Sequence, residues 1–297
     1  MEPISQTDLI LNPDGSIYHL HLLPGDIADT LLLVGDPGRV SLISSLFDRI
    51  EVQKQNREFV THTGYYKGKR VTVMSTGIGT DNIDIVMNEL DALVSLDLGS
   101  RIRLEKPGKL TLIRIGTSGA LHDDISPGSI LLSEIAGGFD GVYHFYRDEK
   151  NVTVPGLAEA FKGYTAWNQS MADPYIIMGS PGLIRKFSSM GWISGITIST
   201  PGFYGPQMRS IRLKPGDEKL IHKLSSFTFN SLRINNFEME SSALYALSAM
   251  LGHDALTLCV AIANRITSTF LEDYKPHIEK LARLALDIIT RDESSGA

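Results

Sequence analysis

Three glycine-rich stretches carry the first residues able to do chemistry. Gly35-Asp36-Pro37-Gly38-Arg39 directly follows an apolar run. Glycine reaches backbone conformations that other residues avoid, so successive N–H groups can converge on an anion. A helix starting there adds its N-terminal dipole, and Arg39 adds a forked donor. A plain strand-to-helix turn uses the same residue types. Ser75-Thr76-Gly77-Ile78-Gly79 and Arg114-Ile115-Gly116-Thr117-Ser118-Gly119 each read as a turn closing a further apolar run. With Arg39, Arg57 and Arg114 nearby, these turns suit phosphate or a similar oxyanion, held at the carboxyl ends of the strands of an open α/β sheet.

Two polar patches follow. Phe203-Tyr204-Gly205-Pro206-Gln207-Met208-Arg209 offers an aromatic face, an amide and a guanidinium. That set can stack on a flat heterocycle and read its carbonyl and N–H edge, or it is a surface turn. Phe237-Glu238-Met239-Glu240-Ser241 places two carboxylates two apart ahead of a helical pattern. On an extended segment they share a face and one can grip a diol; a solvated acidic helix start is the other reading. Tyr18-His19-Leu20-His21 puts two histidines on one face of an extended segment, but no H-E-x-x-H or cysteine set completes a metal site. G-x-G-x-x-G, G-x-x-x-x-G-K-[ST] and G-x-S-x-G are all missing, which argues against a nicotinamide enzyme, a nucleotide triphosphatase and a serine hydrolase.

The elements that must position these residues alternate. Apolar runs at 31–34, 70–76, 110–115, 129–132, 195–199 and 256–261 read as buried strands. Helical spacing at 82–94, 217–234, 241–251 and 274–290 falls between or after them. This predicts an α/β fold: one domain over 1–297, with a central mixed, largely parallel sheet flanked by helices. Residues 139–181 show aromatics, scattered charges and little periodicity, and read as an insert.

Composition narrows the function. The 297 residues include 28 Lys and Arg against 34 Asp and Glu, a net charge of −6, which disfavours nucleic acid as a partner. The most apolar stretch, 255–263, falls far short of the roughly 20 residues of a membrane span, and the N-terminus has no signal-peptide pattern. The single cysteine, Cys259, reads as a small buried hydrophobe. A cytoplasmic protein is expected.

In order, GDPGRV at 35–40, Arg57-Glu58-Phe59, STGIG at 75–79, RIGTSGA at 114–120, the 203–209 patch and FEMES at 237–241 resemble the nucleoside phosphorylase superfamily, and within it the uridine phosphorylases of its pyrimidine branch. The resemblance runs from about residue 18 to 265. It implies a pentosyltransferase that needs no cofactor and uses inorganic phosphate as co-substrate, in reversible phosphorolysis of uridine. By motif, Gly35, Arg39, Arg114 and Thr117 bind phosphate, and Arg57 completes that site from a neighbouring subunit. Met239 and Glu240 hold the ribose, Glu240 on its 2′ and 3′ hydroxyls, and His19 reaches the 5′ hydroxyl of an adjacent subunit's substrate. Phe203, Gln207 and Arg209 surround the base, with Ser118, Gly119, Ile262 and Ala263 lining the pocket; Gln207, Arg209 and Glu240 are the catalytic set. An intersubunit monovalent-cation site maps to Glu58, Ile78 and Asn82. A homo-oligomer, at least a dimer with shared sites, follows from these assignments. Ala263-Asn264-Arg265 resembles the pyrimidine enzymes rather than the purine-specific members, which carry an aspartate in that stretch. A purine nucleoside phosphorylase, or a non-catalytic nucleoside-binding protein of the same fold, is the alternative.

Overall fold

The computed structural model describes residues 2–291. The chain forms β1 (Thr30–Val34), α1 (Gly38–Ser44), β2 (Arg49–Asn56), β3 (Phe59–Tyr66), β4 (Lys69–Ser75), α2 (Thr80–Ser95) and the short pair β5 (Leu96–Asp97) and β6 (Ile102–Arg103). It continues through β7 (Thr111–Ala120), β8 (Ile130–Gly138), α3 (Leu157–Thr165), β9 (Tyr175–Met178), α4 (Pro181–Ser188), β10 (Ile193–Ser199), α5 (Leu220–Ser226) and β11 (Thr228–Phe229). Then come β12 (Leu232–Glu238), α6 (Ser241–Leu251), β13 (Asp254–Asn264), β14 (Thr269–Phe270) and α7 (Lys275–Thr290). The expected α/β architecture is present, with mixed strand pairing and flanking helices. No helix among the described residues is long and apolar enough to cross a membrane.

Packing divides the described residues into two units, the first made of 2–77, 85–113 and 279–291, the second of 78–84 and 114–278. In the first, β1 is buried at every position, as a strand covered on both faces must be. It runs parallel to β4, pairing Leu31 with Thr72 and Val34 with Ser75. β4, β3 and β2 then form an antiparallel meander, and α1 packs on β3 and β4.

In the second unit the sheet closes on itself. The order is β12, β10, β8, β13, β7, and β12 returns to pair with the end of β7, Asn236 against Ala120 and Phe237 against Gly119. This replaces the open sheet expected from the sequence, because the third glycine-rich stretch is no turn: Arg114 to Ala120 continue as strand within β7. The 217–234 stretch is also not one helix. α5 ends at Ser226, and Asn230 and Ser231, both at positive φ (48° and 69°), form the two-residue turn of a β11–β12 hairpin. The 139–181 segment belongs to the core. Phe139, Phe161 and Trp167 pack together with centroids 4.6–5.7 Å apart, and β9 pairs antiparallel with β8. Leu220, Leu224 and Phe227 join the same buried cluster.

Candidate functional site

A buried polar cluster lies in the second unit. Arg114 of β7, Glu238 at the end of β12 and Glu240 just before α6 are each 4% exposed. Arg114 donates through Nη2 to Glu240 Oε2, and its Nη1 lies 3.5 Å from Glu238 Oε2. Gly79 N–H donates to the other oxygen of Glu240 at 2.7 Å. The guanidinium folds back over its own strand, where a Cβ at Gly116 would strike Arg114 Nη1 and stand 2.9 Å from Cys259 Sγ. Only glycine leaves that space. Burial opposes the Arg114 charge, but Glu240 and Glu238 more than offset this and hold the group protonated. Burial pushes the Glu240 carboxyl upward, with Arg114 pulling against it and Glu238 adding to it.

Two carboxylates against one guanidinium leave an excess negative charge, and the start of α6 offsets it. Glu238 accepts the N–H groups of Glu240 at 3.0 Å and of Ser241 at 3.0 and 3.1 Å, together with the Ser199 hydroxyl. Glu238 therefore anchors the helix N-terminus, whose dipole favours a carboxylate. Glu240 is held by Gly79 and Arg114 among these contacts. Met239 lies half-buried between the two.

The 203–209 patch forms a loop around a short 3-10 turn, Gly205–Gln207. Gln207, 3% exposed, donates Nε2 to Thr200 Oγ1 at 3.0 Å and accepts from Arg209 through its side-chain oxygen. The Arg209 guanidinium lies 3.7 Å from the Phe203 ring centroid and donates to the Phe203 carbonyl at 2.8 Å. Burial lowers the Arg209 pKa, and Arg265 adds repulsion. Arg265, which the motif reading left without a role in the base pocket, donates to the Gln207 carbonyl at 2.9 Å. Its cation directly after the Asn264 strand end was the available signal. The open face of Gly119 looks at Arg265 and Arg209. Ser118 is buried, while Thr117, Ile262 and Ala263 are half-buried on β7 and β13. Asn264 donates to the carbonyls of His122 (2.7 Å) and Ile125 (2.9 Å) and accepts from the N–H groups of Ile266 and Thr267, which an aspartate could not fully reproduce.

The first unit carries the other predicted residues. Gly35 directly follows β1, and the Asp36 carboxylate accepts the N–H of Gly38, the first residue of α1, at 2.8 Å. Arg39 Nε is 3.9 Å from Asp36. His19 and His21 do not share a face. His19 Nδ1 contacts Glu89 at 2.6 Å and His21 Nε2 contacts Asp14 at 3.1 Å, because His21 turns the chain at φ 55°. Glu89 also accepts the N–H groups of His19 and Leu20. The Asn56 amide donates to the His19 carbonyl at 2.8 Å, and Arg57 stands 5.9 Å from the Tyr18 ring centroid. His19 and Arg57, the two residues expected to serve a neighbouring subunit, are thus neighbours themselves. Of the expected cation site, Glu58 belongs to this unit, whereas in the second unit Asn82 donates its amide to the Ile78 carbonyl at 3.3 Å. Among the described residues no group of His, Cys, Asp or Glu is arranged to hold a metal ion.

The sequence profile of the Phosphorylase superfamily matches residues 29–291, and the chain belongs to that superfamily. It is 33% identical over 262 residues to a uridine phosphorylase of Thermococcus kodakarensis, covering 86% of this chain and 80% of the relative. It is 28% identical over 273 residues to a DeoD-type purine nucleoside phosphorylase of Alkaliphilus metalliredigens, covering 91% and 98%. A crystal structure of a Trypanosoma brucei nucleoside phosphorylase, described as showing uridine phosphorylase activity, matches with a TM-score of 0.84 at 27% identity, covering 95% of this chain and 98% of that one.

Proposed function

We propose that the chain is a pyrimidine nucleoside phosphorylase, a pentosyltransferase converting uridine and inorganic phosphate reversibly into uracil and ribose 1-phosphate without a cofactor. The observation that carries this reading is the Gln207–Arg209 pair, an amide bonded to a guanidinium that itself lies over the Phe203 ring. Breaking the glycosidic bond builds positive charge on the sugar and negative charge on the departing base. Gln207 and Arg209 meet the base charge, and fixed donors of this kind contribute about 3–4 kcal/mol each. Phosphate, as nucleophile, stabilises the sugar cation, and holding it in place removes much of the entropic barrier.

Glu240 grips the 2′ and 3′ hydroxyls with Met239 beside it, which requires Glu240 to trade its present partners for the sugar. Gly35, Arg39, Arg114 and Thr117 are assigned to phosphate from the motif resemblance, and Ser118, Gly119 and Ile262 to the base. His19 and Arg57 are assigned to a partner's site, making the enzyme a cytoplasmic homo-oligomer of at least two chains. The pairing of His19 with Glu89, the Asn56 amide on the His19 carbonyl and Arg57 beside the Tyr18 ring support a shared role.

Ultraviolet absorbance of uridine, with and without phosphate and beside inosine, tests the reading. Phosphate-dependent loss of uridine with inosine untouched is expected. Cleavage of inosine instead means a purine enzyme, cleavage without phosphate means a hydrolase, and no turnover means a binding protein.

A further inference from the structure

The anchor carboxylate of the sugar site is connected to the 139–181 segment by an unbroken chain of hydrogen bonds. Tyr175 of β9 pairs with Gly138 of β8, and its ring occupies the space that any Cβ at Gly138 would need. The same Cβ would stand 2.7 Å from the Ser242 hydroxyl. Tyr175 is 1% exposed and stacks on Tyr143 with centroids 5.2 Å apart. Burial, then Asp140, keeps its phenol neutral, so the hydroxyl remains a donor. It donates to Asp140 at 2.8 Å, and Ser242 Oγ donates to the other Asp140 oxygen at 3.2 Å. Ser242 Oγ and the Tyr175 hydroxyl lie 3.0 Å apart, and the Val142 N–H donates to Asp140 at 2.8 Å.

From Ser242 the chain turns toward the site. Ser242 is the second residue of α6, and its N–H donates to Ser199 Oγ at 2.9 Å. That bond orients the Ser199 hydroxyl, which donates to Glu238. Asp140 and Glu238 thus stand at the two ends, with the first turn of α6 fixed between them. Glu240 immediately precedes that turn, so its carboxylate moves when the turn moves.

We propose that Asp140 and Tyr175 are positioning residues for the sugar site, acting through Ser242 and Ser199 on Glu238 and the start of α6, and so setting where Glu240 meets the ribose; this rests on the reading of Glu240 as the ribose carboxylate. A cap alone needs only Glu238 and Ser199. Asp140 adds a second carboxylate to that arrangement, and what it fixes is the helix start that carries Glu240.

The test compares uridine with 2′-deoxyuridine, which lacks one hydroxyl that Glu240 grips. Tyr175→Phe removes the donor and keeps the ring; Asp140→Asn keeps the shape. Each is expected to lower kcat/KM for uridine by about tenfold and the uridine to 2′-deoxyuridine preference by about fivefold. Combining Tyr175→Phe with Ser199→Ala is expected to lose little more than the worse single variant, as coupled members of one network do. Equal losses on both substrates, or fully additive losses in the double variant, overturn the proposal. If Asp140→Asn does not fold, Tyr175→Phe decides alone. A wild-type protein that does not turn over uridine overturns the proposal together with the reading beneath it. An active wild type with an unchanged preference in the variants overturns only the positioning role.

Discussion

The carboxylate–guanidinium cluster and the 203–209 loop are built on opposite terms. Arg114, Glu238 and Glu240 are almost completely out of solvent, at strand ends and a helix start. The 203–209 loop leaves Phe203 49% exposed, keeps Arg209 half-buried, and passes through Met208 at φ 54°. In the low dielectric of the cluster each partner counts heavily, and a missing partner leaves a charge stranded. The loop trades strength per contact for freedom to adjust around what it binds. The buried cluster is fixed by its own contacts and the 203–209 loop is adaptable.

Substitutions can break that contrast. Arg114→Ala has the largest expected effect: about 3–5 kcal/mol of lost stability in denaturant unfolding, because two buried carboxylates lose their cation. Turnover disappears with it. An unchanged unfolding midpoint would mean that the cluster is not prebuilt. On the proposed role of Arg209 in meeting the base charge, Arg209→Ala inverts the pattern, with kcat down by about 10²–10³ and stability nearly unchanged. Phe203→Ala is milder. Losing a half-exposed cation–π contact worth about 0.5–1 kcal/mol should raise KM for uridine only a few-fold in steady-state kinetics. The smallest response belongs to Cys259, whose thiol burial pushes up to about 12. Raising the pH through the ordinary thiol range therefore produces no thiolate in the folded protein. Iodoacetamide at pH 8–9 should leave it unlabelled by mass spectrometry until the protein is unfolded.

The same contrast explains what was legible in the sequence. Leu31, Leu32, Leu33 and Val34 announce a doubly covered strand, and α6 occupies the 241–251 interval that its periodicity predicts. Gln207 and Glu240 stand out in the sequence as polar side chains next to Pro206, Met208 and Met239, and both are buried in the structure. The 217–234 stretch misled because Leu220, Leu224, Phe227 and Ile234 all face one core cluster, so a helix and a strand together mimic one helical stripe. Asn230-Ser231 was the available warning. The strand through Gly116 was hidden because its glycine looks like a turn; it exists to admit a guanidinium that becomes visible only in three dimensions. The Asp140–Tyr175–Ser242 link joins residues up to 102 apart, and no local pattern announces it.

Ring closure also governs how the polypeptide is born. Ala120 waits for Asn236, 236 − 120 = 116 residues further on, and β13, the other partner of β7 in that unit, is made later still. At ordinary synthesis speeds of about 5–20 residues per second, that half of β7 stays bare for roughly six seconds or more. Bare strand edges template association between chains. A nascent chain of this protein therefore passes through an interval in which it must be shielded. Cutting it short before residue 237 makes that interval permanent, so the expected product is aggregate rather than a smaller enzyme.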